Sequence, residues 1–121
     1  MTNSDPVDLD IAALAELIAG REISPLEVTT TYLERIERLD PQLNAFISVH
    51  AEAALAAARQ AEAEIAAGHY RGPLHGVPLA VKDLFQVAGW ERTCGSAFFR
   101  DTPRHDSTSV ARLKAAGAVL L

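Results

Sequence analysis

The chain has 121 residues, of which 49% are hydrophobic and 22% charged, a balance that fits a folded domain and excludes a disordered or low-complexity chain. Its formal charge of -5 gives no electrostatic reason to expect binding to nucleic acid or to an anionic membrane, since both need clustered Lys and Arg. The single cysteine, Cys94, excludes a disulfide within the chain and a zinc site built from several cysteines.

The sequence shows no sign of a membrane span or an export signal. No apolar run approaches the roughly 20 residues of a span, and the segment from Met1 to Pro6 lacks the basic start and apolar stretch of a signal peptide. We therefore expect a cytoplasmic protein. The chain also lacks a glycine-rich phosphate-binding pattern, and His69, His75 and His105 lack the spacing of metal ligands, so we expect no cofactor and no metal.

The first forty residues predict two helices. The first begins near Asp8 or Asp10, either of which can cap it, and ends at Gly20. Ser24–Glu27 combines a capping Ser, a Pro at the first helical position and a Glu placed for a capping box, so a second helix begins there. We expect that helix to stop at Asp40-Pro41, because the residue before a proline avoids helical geometry.

The middle of the chain predicts a strand and a third helix. Ala45–Val49 is short and β-prone, which favours a strand. A long Ala/Glu segment from about His50 to Ala67, closed by Gly68, predicts the helix. Its large apolar residues are few, so we expect it to lie on the surface of a larger body.

The last fifty residues predict one arm of an α/β unit. The turn-forming segment Gly72–Pro78 leads into a short strand of buried type, Leu79–Val81. No hydrophobic period holds from 86 to 105, and a long irregular stretch in a compact domain is usually functional. A helix capped by Asp106 or Ser107 and ended by Gly117 then precedes an apolar strand that begins at Ala118.

Lys82 is the residue that points to chemistry, because it follows the apolar Leu79–Val81. If that strand is buried, removal from water favours the neutral amine, and the pKa of a lysine can fall several units below its ordinary value of about 10.4. A neutral amine is a good general base near pH 7. The spacing alone, however, favours an ordinary lysine at a strand end, whose ammonium reaches solvent beside Asp83.

The other polar residues of this region favour structural interpretations. Ser96, His105 and Asp106 do not suggest a catalytic triad, because Ser96 lacks a Gly-x-Ser-x-Gly pattern and adjacent His and Asp rarely face each other. Cys94 is interpreted as a small apolar filler, with a reactive thiol as the alternative. Trp90 is interpreted as a cover over the core, with an aromatic side chain of a cleft as the alternative. His75 is expected to hydrogen-bond within its own turn.

Three separated blocks of the sequence together resemble the amidase signature family. The central block runs from Gly72 to Phe85 and continues through Val87-Ala88-Gly89 and Thr93-Cys94-Gly95-Ser96. Gly20–Thr29 is similar to that family's N-terminal helix pair, and Asp106–Leu121 to its next helix and strand. The blocks agree in order and spacing, so the resemblance covers in effect the whole chain.

The resemblance implies an α/β fold in which helices pack around a mixed β-sheet. Residues 1–121 are expected to form the N-terminal fragment of a single amidase domain, with the sheet incomplete. Family members hydrolyse amides with a Ser, a second Ser in a cis peptide and a Lys, and the family's lysine maps onto Lys82. The resemblance places both serines after the strand that begins at Ala118, so the fragment alone is expected to be inactive. Thr93, Gly95 and Ser96 are candidate substrate-binding residues, with simple turn formation as the alternative.

Three functions remain open at this point. The leading one is an amidase acting on a small-molecule amide, with no nucleic-acid or membrane partner. The second is the catalytic A-type subunit of an aminoacyl-tRNA amidotransferase, which is similar in the same segments and works in a complex. The third is a non-catalytic binding module derived from the family. An incomplete sheet also predicts exposed apolar surface, through which the chain could associate or form a homo-oligomer.

Overall fold

The computed structural model describes residues 5–121. Most of the segment on which the expectation of no signal peptide depends, Met1–Ser4 of Met1–Pro6, therefore lies outside the described residues. The chain has an α/β architecture, as predicted. Within the described range, no helix has the length and hydrophobicity needed to cross a membrane. In chain order, a 3-10 turn at Pro6–Asp8 precedes α1 (Ile11–Ala19), α2 (Pro25–Leu43), α3 (Ala51–Ala66), β1 (Pro78–Leu79), α4 (Thr108–Ala115) and β2 (Val119–Leu120).

The helix starts are set by the capping residues that the sequence shows. The Asp10 carboxylate accepts the Ala13 N–H at 2.8 Å, and the Ser24 hydroxyl accepts the Glu27 N–H at 3.1 Å. Each bond satisfies a backbone donor that has no partner inside its own helix. The predicted starts of α1 and α2 are confirmed.

The predicted end of α2 is wrong, because the helix runs through Pro41 and ends at Leu43. Asn44 adopts a left-handed conformation with φ of 50° and donates its N–H to the Asp40 carbonyl oxygen. Such a residue is a common helix end. The hydrogen bond that Pro41 cannot make lies on an exposed part of the helix, where water can replace it.

The strand predicted over Ala45–Val49 is also wrong, since this segment is an irregular connection. Asp40 Oδ1 accepts the N–H groups of Ala45 and Phe46 at 2.7 and 3.1 Å. Two donors that a sheet would need are therefore already used. The Phe46 ring packs inward, whereas Ile47 is 65% exposed.

α3 lies close to its predicted bounds and packs through small side chains. The residues on its buried face are Ala54, Ala58, Ala61 and Ile65. Because three of these side chains are alanines, the backbones of α2 and β2 can approach the α3 backbone closely, and α3 contacts both elements. The helix therefore lies between other elements, with one face in the core and the other in solvent.

β1 and β2 form a parallel pair, in which Pro78 aligns with Val119 and Leu79 with Leu120. Parallel strands need a long crossover, and the segment containing α4 supplies it. Ser107 caps α4 by accepting the Val110 N–H, as predicted. The strand expected after Ala118 is confirmed as β2.

Among residues 5–121, the core consists of three adjoining clusters. The first joins α1, α2 and α3 to the residue before β1, the second joins α3 to β2, and the third joins α4 to β2. Their buried members are Leu14, Ile18, Val28, Ile65 and Val77; Ala54, Ala58, Val119 and Leu121; and Val87, Val110 and Leu120. The strand pair therefore lies at the centre, and the segment after β1 emerges from it.

Candidate active site

Lys82 lies just past the carboxyl end of β1. The strand ends at Leu79, whose carbonyl oxygen accepts the Leu121 N–H at 3.0 Å. The strand predicted over Leu79–Val81 is therefore present but lies one residue earlier and is shorter, at Pro78–Leu79. Its predicted burial is wrong at Ala80, which is exposed, whereas Leu79 and Val81 are half-buried. Lys82 is exposed as well, so in the described chain its amine has not been removed from water.

The backbone at Lys82 is held by hydrogen bonds from outside the sheet. The Lys82 carbonyl oxygen accepts the N–H three residues later at 3.0 Å, which closes a turn. The next two carbonyl oxygens, of Asp83 and Leu84, accept the Cys94 N–H and Arg92 Nη1, both at 3.2 Å. Three successive carbonyls are thus bound, so the main chain at Lys82 has a defined position although its side chain is exposed.

The Asp83 carboxylate binds the turn that contains Thr93 and Gly95. It accepts the Thr93 hydroxyl, the Thr93 N–H at 3.0 and 3.1 Å, and the Gly95 N–H at 3.3 Å. The hydroxyl of Thr93 lowers the pKa of Asp83 below its ordinary value, and the N–H groups of the turn add to this. Hydrogen bonds to the charged form of a carboxylate have this effect. Asp83 therefore joins two segments that lie ten residues apart.

An ion pair joins Arg92 to Asp101 across the irregular segment that follows Asp83. Arg92 Nε and Nη2 donate to the two oxygens of Asp101 at 2.9 and 2.6 Å, and the two residues also exchange backbone hydrogen bonds at 2.8 and 3.0 Å. The two-point geometry is the strong form of such a pair. Accordingly, the Asp101 carboxylate raises the pKa of Arg92, and the guanidinium lowers the pKa of Asp101.

A cleft of about 290 Å³ opens beside Lys82. Apolar side chains from the 45–50 connection and from the segment after β1 form much of its wall, and charged side chains form the remainder. Its larger apolar residues are Phe46, Ile47, Val81, Leu84, Phe85, Val87 and Trp90, and its charged residues are Lys82, Asp83, Glu91 and Arg92. An apolar cleft with a few polar groups is the usual form of a small-molecule site.

Trp90 lies between the cleft and the core. Its indole stacks on the His50 ring with centroids 3.6 Å apart and planes 9° from parallel. It also packs against the cluster of Val87, Val110 and Leu120. Trp90 therefore covers part of the core, as predicted, and is at the same time an aromatic wall of the cleft. The His50 ring is held in turn by the Ser48 hydroxyl at 3.2 Å. Burial lowers the pKa of His50.

The three predicted substrate-binding residues share the turn that Asp83 binds. Gly95 lines the cleft. The Thr93 hydroxyl and N–H and the Gly95 N–H all point at Asp83. Ser96 donates its N–H to the Thr93 carbonyl oxygen at 2.9 Å and accepts the Phe98 N–H on its hydroxyl. These contacts make a turn, and substrate binding by the three residues stays a prediction.

Cys94 is not the apolar filler that its size suggests. The residue is exposed, lines the cleft and has a left-handed backbone with φ of 53°. Non-glycine residues adopt this conformation infrequently. The neighbouring Gly95 also has a positive φ, of 70°. The Asp83 contacts therefore hold a turn with two left-handed residues in succession.

A second cleft, also of about 290 Å³, lies over His75. The His75 side chain is 1% exposed, and its Nδ1 accepts the Arg71 N–H at 3.0 Å, which confirms the predicted bond within the turn. Nε2 stands 3.1 Å from Glu64 Oε2 without the alignment of a hydrogen bond. The Arg71 guanidinium binds Glu64 at 2.6 Å and the carbonyl oxygens of Lys114 and Ala115 at the end of α4.

Asp106, which follows the irregular stretch 86–105, has structural partners. The Asp106 carboxylate accepts the Ala88 N–H at 2.7 Å and the Lys114 ammonium at 2.9 and 3.0 Å. It is therefore not available to orient His105. Within residues 5–121, no three His, Cys, Asp or Glu side chains are grouped in a way that could hold a metal ion.

Asp83 is the site residue that the sequence interpretation missed. In the sequence it stands out only as a neighbour of the Lys82 ammonium, yet the structure turns its carboxylate to Thr93 and Gly95. The available signal is a carboxylate followed ten residues later by Thr-x-Gly, a group of hydrogen-bond donors. Because an irregular segment separates them, no periodicity could show that they meet.

Comparison with known proteins gives the family. The family model described as Amidase matches residues 27–121. The protein named "Putative amidase AmiD" of Mycobacterium tuberculosis is 52% identical over 114 residues, which are 93% of this chain and 24% of that protein. The A-type subunit of the glutamyl-tRNA(Gln) amidotransferase of Acidothermus cellulolyticus is 45% identical over 119 residues, 98% of this chain and again 24% of the relative.

Solved structures agree with this result. The native peptide amidase of Stenotrophomonas maltophilia superposes with a TM-score of 0.87 at 36% identity, over 94% of this chain and 24% of that one. The chain thus spans about a quarter of the length of the relatives that it matches. The second and third sequence blocks, the strand pair and the cleft fall within the matched residues 27–121, and the chain belongs to the Amidase family.

Proposed function

We propose that the protein containing this chain hydrolyses a carboxylic amide to an acid and ammonia or an amine, with Lys82 as the general base. The observation that carries the proposal is the placement of Lys82, which lines the cleft on a turn closed by a backbone hydrogen bond. Lys82 also lies inside the block that resembles the amidase signature family. Membership of the Amidase family supports amide hydrolysis as the reaction.

The proposed chemistry follows the family's arrangement of a Ser, a second Ser in a cis peptide and a Lys. The hydroxyl of the nucleophilic Ser attacks the amide carbon, its proton passes to the bridging Ser, and the proton of the bridging Ser passes to Lys82 Nζ. The proton then returns along the same path to the leaving amine, and water releases the acid from the acyl-serine. Lys82 must be neutral to begin, so the proposal requires that its amine be shielded from water in the complete active site.

The chain is proposed to supply the lysine and neither serine. It spans about a quarter of its relatives' length, and the resemblance puts both serines after β2. The oxyanion-binding N–H groups of such enzymes belong beside the nucleophile and are assigned to the same later region.

Ammonia release from a panel of primary carboxylic amides tests the proposal. The protein produced from the reading frame that contains these 121 residues should release ammonia and the matching acid in equal amounts. The 121-residue chain assayed in parallel should release none. If the longer protein hydrolyses no amide of the panel, the function is wrong. If the shorter chain alone hydrolyses one, the division of the catalytic groups is wrong.

A second candidate is the A-type subunit of a glutamyl-tRNA amidotransferase. It is favoured by relatives of that kind, which are 42 to 47% identical to this chain. A protein of this kind should co-purify with partner subunits and form amide on glutamate esterified to tRNA, whereas a stand-alone amidase should do neither. A non-catalytic binding module, the third possibility, should lack hydrolysis in both assays.

A further inference from the structure

Residues 80–85, which follow β1, are held in place by hydrogen bonds from residues 92–95 and not by the sheet. β1 ends at Leu79, and Lys82 lies three residues beyond it. The contacts that locate the following backbone come from residues 92–95, through the carbonyl oxygens of Asp83 and Leu84 and through the Asp83 carboxylate. The position of Lys82 therefore depends on how this turn is bound.

The Asp83 carboxylate is the centre of that attachment. Both of its oxygens accept hydrogen bonds, from the Thr93 hydroxyl and N–H and from the Gly95 N–H. Thr93 also accepts the Gly95 N–H on its hydroxyl at 3.2 Å, so the turn is bonded within itself as well. Asp83 and Thr93 are both half-buried, which strengthens these bonds relative to bonds in water.

The Asp83 carboxylate faces the donors of the Thr93–Gly95 turn and not the Lys82 ammonium. Although the two residues are adjacent, no ion pair joins Asp83 to Lys82 in the part of the chain that the structure describes. A carboxylate paired with Lys82 would favour the ammonium form, which cannot accept a proton. Binding to Thr93 and Gly95 directs the carboxylate elsewhere, which is what a general base at Lys82 requires.

We propose that Asp83 is a positioning residue for Lys82: by binding the Thr93–Gly95 turn, its carboxylate fixes the backbone from which the lysine reaches the cleft. This inference rests on the proposed function, since it assigns a supporting residue to the same site. Asp83 is proposed to act through Lys82, because its oxygens already accept hydrogen bonds from three donors of the turn.

The test uses steady-state kinetics of the protein from the complete reading frame. Asp83→Asn keeps the size of the side chain and removes its charge. It should lower kcat about 10- to 100-fold, because small displacements of a catalytic group have effects of this size, and leave KM within about twofold. Thr93→Val should lower kcat in the same way, whereas Thr93→Ser, which keeps the hydroxyl, should restore it.

Asp106→Asn is the matched control. Asp106 is also a half-buried carboxylate that accepts a backbone N–H, but it binds Ala88 and Lys114 and not the turn at Thr93. The kcat of the Asp106→Asn protein should remain near the wild-type value. Equal losses of kcat in Asp83→Asn and Asp106→Asn would show a general effect on folding and overturn the inference.

A double substitution separates positioning from any independent role. In a Lys82→Ala background, Asp83→Asn should cause no further loss of kcat, because its effect passes through the missing amine. A further loss, or a rise in KM with kcat unchanged, would overturn the inference. If Lys82→Ala itself leaves kcat unchanged, the proposed function fails; if Lys82→Ala removes activity and Asp83→Asn does not lower it, the positioning role alone fails.

Discussion

His75 is a buried residue whose two ring nitrogens have different neighbours. Nδ1 accepts the Arg71 N–H, which leaves Nε2 as the protonated nitrogen facing Glu64. Burial lowers the pKa of His75 below its ordinary value of 6.5, and the Glu64 carboxylate offsets part of this effect. A second proton would have to bind at Nδ1, where it would displace the Arg71 N–H.

The stability of the chain should therefore fall as the solution becomes acidic. With the folded pKa of His75 below the unfolded value, the unfolded chain binds more protons between the two, so the stabilisation is complete above about pH 6.5 and is lost below it. One such group changes the free energy of unfolding by at most about 1.4 kcal/mol per pH unit. Urea unfolding at about pH 7.5 and about pH 5.5, on either side of that value, measures the change.

His75→Asn is the comparison for this measurement, because its amide oxygen can accept the Arg71 N–H without titrating. Its loss of stability between the two pH values should be smaller than that of the wild type. His50, whose pKa is also lowered by burial, is present in both proteins and does not affect the difference. Equal losses in the two proteins would show that His75 does not carry this pH dependence.

The site shows how far individual residues could be predicted. Lys82 could be identified from the sequence because the family motif is a run of neighbouring residues that contains it. The spacing alone favoured a lysine whose ammonium reaches solvent, and Lys82 is exposed in the described chain, where no strand covers the backbone after Leu79. The role of Asp83 could not be predicted either, because it depends on a turn brought back by an irregular segment of the chain.

At the scale of elements, the end of α4 is fitted closely to the turn before β1. Gly117 has φ of 85°, and its carbonyl oxygen accepts the Gly76 N–H at 2.9 Å. A Cβ at Gly117 would stand 2.9 Å from His75 Cγ and closer still to Cδ2. The sequence showed Gly117 as a helix stop, but not that the missing side chain makes room for His75.

Gly117→Ala should therefore destabilise the chain more than an alanine in the same conformation elsewhere. Gly68 provides the comparison, because its φ is 86° and the space around it is open. Gly68→Ala should lower the free energy of unfolding by about 1 to 2 kcal/mol, for the left-handed backbone alone. Gly117→Ala should lower it by about 1 to 3 kcal/mol more, for the overlap with His75.

Urea unfolding of both variants checks this prediction. Equal losses would contradict the close packing of α4 against the turn. In the same experiment, unchanged slopes of the unfolding transitions would show that both alanines change stability without changing the surface exposed on unfolding.

The elements themselves were predictable where local chemistry decides them. The caps at Asp10, Ser24 and Ser107 bind backbone donors within three residues, so the sequence shows them directly. The errors lie where a more distant partner decides. Asp40 binds the backbone after α2, which removes donors that a strand over Ala45–Val49 would use.

At the scale of the whole molecule, several large apolar side chains of residues 5–121 are exposed. Phe98 is fully exposed, and Leu43, Ile47 and Leu84 are each at least half exposed. Of the exposed large apolar residues, Ile47, Leu84 and Phe85 line the cleft beside Lys82. Composition could not show this surface, because about half of all residues are hydrophobic in many well-covered domains. Association through such a surface stays a prediction.

The central claim is that Lys82 accepts the proton in amide hydrolysis, and the kcat of Lys82→Ala in the protein from the complete reading frame tests it most directly. The sequence contains two lysines, so Lys114→Ala, which breaks the ion pair with Asp106, is the matched control. We predict that Lys82→Ala lowers kcat by about 10²- to 10⁴-fold, the usual contribution of a general base, while Lys114→Ala remains near wild type. Undiminished hydrolysis by a folded Lys82→Ala protein would contradict the claim.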